Sequence, residues 1–295
     1  MSPQRGPAIP LRFCRRRPQR EDRHLRLEHP RQNDFSTSSV EGLIMRRFAL
    51  FFAVVITAVT SLALAPVRAV SDPMASPAAS ASPSATPLPD VTTSGIALDA
   101  PWKKTIYAMV HAKFVHPAWG WQHSERNYLL GLKLAEGDGL TIDRDVLFAA
   151  CFLHDMSAFD PKATDDKMEH GDYAAIASEP ILRDAGFPMD KYPRVAAAER
   201  AHMFYRDPGT APESIVLHDA DSLDFLGDVG ATRMLSLIGE KGASVGPTVK
   251  TLRTFAHDIP PKLVTKTARA MGATRAAELT AYLDALDGET FGGDR

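Results

Sequence analysis

His154 and Asp155 stand side by side at the end of an apolar run, Val146-Leu147-Phe148-Ala149-Ala150-Cys151-Phe152-Leu153. An imidazole and a carboxylate at the inner end of a buried segment are costly unless something pairs with them. A divalent metal would do so: neutral imidazole suits Fe, Ni or Zn, while carboxylates add charge and suit Mn or Mg. Further ligand types follow in order along the chain. His123 lies upstream; His170, His202 and Asp221 lie downstream, the last within His218-Asp219-Ala220-Asp221-Ser222-Leu223-Asp224. Asp219 is a fallback for the final ligand. Asp224 shares a helix face with Asp221 and could orient a ligand, or could simply be solvated. Arg126 falls three residues after His123, on the same face. Its planar fork could hold a substrate phosphate or pair with a nearby carboxylate. Lys167, beside Met168-Glu169-His170, is a cation of the same kind. His218 reads as structural, and His111, His116 and His257 as non-catalytic.

The ordered set H…HD…H…H…D resembles the HD-domain metal-dependent phosphohydrolases, over roughly residues 105–285. The resemblance implies an all-α HD-domain helical bundle. It assigns His123, His154, Asp155 and Asp221 to one metal, with His154 and Asp155 at the catalytic centre. The family pattern of Ala-Asp, any residue, then Leu fits Ala220-Asp221-Ser222-Leu223. His170 and His202 would hold a second metal or contact substrate. One or two divalent ions (Mn, Fe, Ni, Mg or Zn) per chain are implied, with a phosphate ester or nucleotide hydrolysed by a metal-activated water. The acidic segment running from His218 to Gly227 is similar to that of small bacterial HD nucleotide hydrolases. By contrast, His123-Ser124-Glu125-Arg126-Asn127-Tyr128 followed by Leu153-His154-Asp155 is similar to the cyanamide-hydratase-like branch, which hydrates a small nitrile. A non-catalytic ligand-binding module of the same fold would be marked by a lost ligand, and all four core ligands are present.

These residues need helices to carry them. Periodicity predicts helices over Trp102–Phe114, Gln122–Ala135, Asp143–Asp155 and Met168–Ala185, the last with a break near Pro180. Further helices are expected over Tyr192–Tyr205, Pro212–Leu226, Ala231–Ile238, Lys262–Met271 and Thr274–Leu286. Asp143 or Thr141 would cap the helix that ends in His154 and Asp155. Residues 156–167, 206–209 and 242–247 read as loops. No alternating strand pattern or internal repeat is present.

The chain of 295 residues carries a formal net charge of −2, so it has no strong electrostatic signature for nucleic acid. Its two cysteines, Cys14 and Cys151, argue against a disulfide framework and a cysteine-rich zinc site. There is no Gly-x-Ser-x-Gly elbow, no phosphate-cradling glycine loop and no Cys-x-x-Cys. Residues 1–44 form a basic tail with nine arginines, either disordered or lying upstream of a true start at Met45. Residues 45–69 read as a signal peptide: Met45-Arg46-Arg47, the apolar run 48–65, and cleavage after Ala69. The alternative is a membrane anchor through residues 48–65. Residues 70–99 are a Pro/Ala/Ser-rich linker, and 100–290 the folded domain. The expectation is an exported protein, periplasmic or secreted, without stable membrane insertion after cleavage. It would act on a small phosphorylated molecule.

Overall fold

Every residue from Val146 to Leu153 is buried, so the helix they build is covered on all sides rather than along one stripe. The computed structural model of the chain describes residues 88–160, 163, 168–240 and 243–293. Among these residues the protein is all-helical, with one isolated antiparallel bridge between Val91 and Ala97. Nine α-helices follow in order: α1 (Pro101–Lys113), α2 (Trp121–Asp138), α3 (Arg144–Leu153), α4 (His170–Ala185), α5 (Tyr192–Ala201), α6 (Pro212–Leu223), α7 (Gly227–Leu235), α8 (Val245–Asp258) and α9 (Lys266–Glu289).

Helix α3 is the apolar centre, and α1, α2, α4, α5 and α6 all pack on it. Phe148 stacks on Phe152 at 4.1 Å, and Trp102 and Tyr128 each meet Phe148 edge-on at 5.5 Å. Each such buried side chain contributes roughly 1.5–3 kcal/mol. The start of α3 is fixed as expected: the Asp143 carboxylate accepts from the backbone N–H groups of Asp145 and Val146. With both ends of α3 held, its C-terminal cap, His154, and the next residue, Asp155, have fixed positions.

Several boundaries differ from the sequence expectation. Helix α4 runs through Pro180 without a break. Pro180 removes one N–H bond to the preceding turn, but that turn carries Ile176, which is exposed, so water can serve the freed carbonyl. The two helices expected over 262–286 are the single helix α9. Gly272 belongs to its packing: a Cβ there would fall 2.2 Å from Leu263 Cδ1. Helix α8 was not expected. Its Pro247 sits in the first turn, where a missing N–H costs nothing, and Val249, Leu252 and Phe255 face the core. Helix α5 ends at Ala201 rather than Tyr205, which leaves His202 as its cap. Packing also reaches back into the segment read as linker. Ile96 and Leu98 are buried, and the Ser94 N–H donates to Glu125 at 2.8 Å. The basic tail, the signal peptide and the apolar run 48–65 lie outside the described residues. Among those described, no helix is long and apolar enough to cross a membrane.

Helices α4 and α5 enclose a buried carboxyl group with a measurable signature. Glu199 accepts from Ser178 Oγ at 2.8 Å through Oε2, while its buried Oε1 has no partner. Burial pushes its pKa up from 4.5 to about 8, against the smaller opposing effects of Ser178 and Arg200. Between those values the native chain holds a proton that the unfolded chain has lost. This group's contribution is therefore full below pH 4.5 and falls as pH rises to about 8. Glu199→Gln cannot titrate. Its stability relative to the wild type is expected to improve by a few kcal/mol, about 1.4 per pH unit, between pH 5 and pH 8. Urea unfolding at the two pH values checks this; an unchanged difference would show that Glu199 is ionised in the native state.

Candidate metal centre

Five helix ends bring the ligand types together. His123 sits in the first turn of α2, His154 and Asp155 just past α3, His170 at the start of α4, and His202 just past α5. Asp221 lies in the last turn of α6. Gly171 allows the close approach of α4 to the end of α5. A Cβ there would lie 2.5 Å from the Glu199 carbonyl oxygen, the atom that fixes His202.

The cluster has a tight centre. His123 Nε2 lies 3.2 Å from His154 Nε2, 3.1 Å from Asp221 Oδ1 and 3.4 Å from Asp155 Oδ2. His154 Nε2 is 3.5 Å from Asp155 Oδ2, and His202 Nε2 is 4.0 Å from Asp155 Oδ1. His170 Nε2 faces His202 Nε2 at 2.9 Å. Two overlapping sets have metal-ligand geometry: His123, His154 and Asp221, and His154, Asp155 and His202.

The outer ring nitrogens decide what the inner ones can do. His123 Nδ1–H donates to Asp224 Oδ2 at 2.7 Å, His154 Nδ1–H to the Cys151 carbonyl at 2.9 Å, and His202 Nδ1–H to the Glu199 carbonyl at 2.6 Å. This network sets the tautomers and leaves the Nε2 atoms to present lone pairs inward. Lone pairs facing one another and two carboxylates repel unless a positive species lies among them. The donor set therefore fits a divalent ion. Charge points the same way. Burial would raise the Asp155 carboxyl, but His154, His123 and His202 hold it well below the usual carboxylate range. Burial and Arg233 would lower the His123 imidazole, yet Asp155, Asp221 and Asp224 raise it to about 9. A proton thus takes the cation's part when no metal does. His202 is pushed down to about 4, by burial and then by His154 and His170, so its ring is neutral at ordinary pH.

All six predicted metal ligands, His123, His154, Asp155, His170, His202 and Asp221, come together here. Two other expectations, for Arg126 and Asp219, are revised. Arg126 is bound to Asp224, with Nε at 3.0 Å from Oδ1 and Nη2 at 2.8 Å from Oδ2, so the carboxylate claims the fork assigned to substrate. Asp219, the fallback for the final ligand, is buried and turned away from the cluster. It accepts from the backbone N–H groups of Val264 at 2.9 Å and Thr265 at 2.7 Å, ahead of α9. Asp224 is buried too, and orients His123 as its shared face with Asp221 suggested. Lys167 lies outside the described residues.

Other residues of the centre went unread in the sequence. Arg233, from α7, is buried against Asp224 at 3.0 Å and against the Ala118 carbonyl. No sequence pattern links it to His123. Asn127 is one turn after His123, and that spacing is a usable signal. Its Nδ2 lies 3.1 Å from His123 Nε2, and its buried Oδ1 has no partner. Glu169 caps α4, stands 2.5 Å from His170 Nδ1 and accepts from the Tyr205 hydroxyl at 3.1 Å.

An all-helical fold whose helix ends converge on buried histidines and aspartates defines a metal-binding helical domain. Residues 120–226 match the HD domain family model. Among solved structures, the fold is similar to that of a protein from Lactobacillus plantarum, at 19% identity and a TM-score of 0.50, covering 63% of this chain and 95% of that one. It is also similar to Bacillus subtilis YpgQ, at 22% identity and a TM-score of 0.50, covering 66% and 100%. A predicted HD superfamily hydrolase from an uncultured Thermotogales bacterium matches at 22% identity and a TM-score of 0.44, covering 62% and 88%. No curated protein matches the chain in sequence.

Proposed function

We propose that this protein is a metal-dependent hydrolase that cleaves a phosphate ester or nucleotide. The observation that carries this reading is the inward-facing set of histidine Nε2 atoms and two ionised carboxylates, His123, His154, Asp155 and Asp221, with His170 and His202 alongside. A divalent ion held by these residues would supply Lewis acidity toward a phosphoryl oxygen and a nucleophilic water at neutral pH. Asp155 and Asp221 keep their negative charge in the buried centre, and Asp224 and the Cys151 carbonyl keep His123 and His154 turned inward. His170 stands against Glu169, which raises its pKa against the effect of burial. A protonated His170 at the open side of the centre can give its proton to the departing oxygen. Arg46-Arg47 and the apolar run 48–65 support export, so the substrate would be met outside the cytoplasm.

Metal analysis of the purified chain and a hydrolysis screen test the reading. Chelation is expected to abolish phosphate release, and addition of Mn, Fe, Ni, Mg or Zn to restore it. Two ions per chain would assign His170 and His202 to a second ion; one ion would leave His170 as the proton donor. Hydration of a small nitrile without phosphate release would overturn the phosphohydrolase reading, and failure to bind any divalent ion would overturn the enzyme.

A further inference from the structure

Asn127 lies one turn after His123 on α2, so the two side chains share a face of the helix. It is wholly buried, and one end of its carboxamide looks into the ligand cluster. That end, Nδ2, is 3.1 Å from His123 Nε2 and 3.5 Å from Asp221 Oδ1. The ligand atoms stand at the same separations from one another: His123 Nε2 is 3.1 Å from Asp221 Oδ1 and 3.4 Å from Asp155 Oδ2. The carboxamide therefore reaches as far into the centre as the ligands do. Its other end, Oδ1, is buried with no partner among the described residues.

We propose that Asn127 is a further ligand of the divalent ion, bound through its carboxamide oxygen. As it stands, the amide donates to the Nε2 lone pair of His123. An ion at the centre takes that lone pair, and the Nδ2 hydrogens then face a cation. A half-turn about the terminal torsion of the side chain exchanges two ends of nearly equal shape, which only their partners tell apart. The exchange puts the oxygen toward the cation. On the outer side no hydrogen bond is lost, because Oδ1 makes none there. Two ligands one turn apart on a single helix have the spacing by which a His-Glu-x-x-His helix holds zinc through both histidines. An amide oxygen also adds a donor without adding charge to a site that already holds two carboxylates. Carbonyl oxygen suits Mn, Mg and Ca, whereas imidazole suits Ni and Zn, so Asn127 tilts the centre toward the oxygen-seeking ions. This inference rests on the metal-dependent reading and adds one residue to its ligand set.

Calorimetric titration of the metal-stripped full chain with Mn and with Ni tests it, with circular dichroism to verify helicity in each variant. Asn127→Leu keeps a branched side chain and removes the oxygen. It should weaken Mn binding about tenfold or more, and Ni binding by less. Asn127→Asp keeps an oxygen in that place and removes the amide hydrogens. As a ligand it should hold Mn at least as tightly as the wild type does. Were Asn127 only a hydrogen-bond donor to His123 or Asp221, the aspartate would set a like charge beside Asp221 with nothing gained, and Mn binding would weaken. If Asn127→Leu fails to fold, Asn127→Asp decides. Weaker Mn binding by Asn127→Asp would overturn the inference alone. So would unchanged Mn binding by a folded Asn127→Leu, or equal losses of Mn and Ni, the mark of a general disturbance of the pocket. Binding of no divalent ion by the wild type would overturn the metal-dependent reading along with it.

Discussion

Replacing Asp221 with alanine is expected to strip the chain of its tightly held metal and of hydrolysis with it. Asp221 Oδ1 is 3.1 Å from His123 Nε2 and 3.9 Å from His154 Nε2, and its side chain is 3% exposed. Burial would raise its carboxyl, but His123, His202 and His154 keep it ionised. Its removal leaves Asp155 as the carboxylate facing the Nε2 atoms of His123 and His154. Even partners that only orient a ligand are worth about 10–100-fold in metal affinity, so loss of a ligand should exceed about a hundredfold. Metal content after dialysis, with circular dichroism to verify helicity, reads the effect. Asp221→Asn separates charge from shape: it keeps an oxygen in place and should retain some metal at high concentration. An alanine variant that still held its full metal complement would remove Asp221 from the ligand set and return the choice of last ligand to its neighbours.

The sequence made some of this geometry legible and hid the rest for definable reasons. Val146 to Leu153 could be read as an interior helix because no polar residue interrupts it, and its exposed-looking end, His154-Asp155, had to mark chemistry. The last aspartate was harder. Asp219 and Asp221 are two residues apart, so on α6 their side chains diverge by about 200°. One therefore faces the start of α9 and the other the histidines. Periodicity gives that divergence, but only packing says which side is which. Arg126 shows the same limit. Its place on the face of His123 was visible, whereas the approach of Asp224 from another helix depends on how α2 and α6 cross. Arg233 comes from a third helix and carries no local signal at all. The missed α8 and the fused α9 have a simpler cause. Pro247 and Gly272 were read as breaks, while one sits in a first turn and the other admits Leu263.

Asp224 yields the second large prediction, because three cations converge on it. His123 Nδ1 is 2.7 Å away, Arg126 Nη2 2.8 Å and Arg233 Nη1 3.0 Å. Burial would raise its carboxyl, but Arg233, His123 and Arg126 hold it well below the usual range. Asp224→Ala leaves the buried Arg233 guanidinium without its counter-charge, and breaking such a pair costs about 3–5 kcal/mol. Asp224→Asn keeps the volume and one acceptor, so it should cost less and be the better probe of metal binding. His123 then loses the carboxylate that fixes its ring and strengthens Nε2 as a donor, and metal affinity should fall about 10–100-fold. Asp219→Asn is the control with the opposite pattern. It weakens the acceptor for Val264 and Thr265 and so lowers stability, but it touches none of the inward-facing atoms and should leave metal affinity unchanged. Urea unfolding and metal titration on the two variants give four numbers. If Asp224→Asn lost stability while its metal affinity matched that of Asp219→Asn, Asp224 would be a structural anchor for the arginines, and the orientation of His123 would have to come from helix α2 alone.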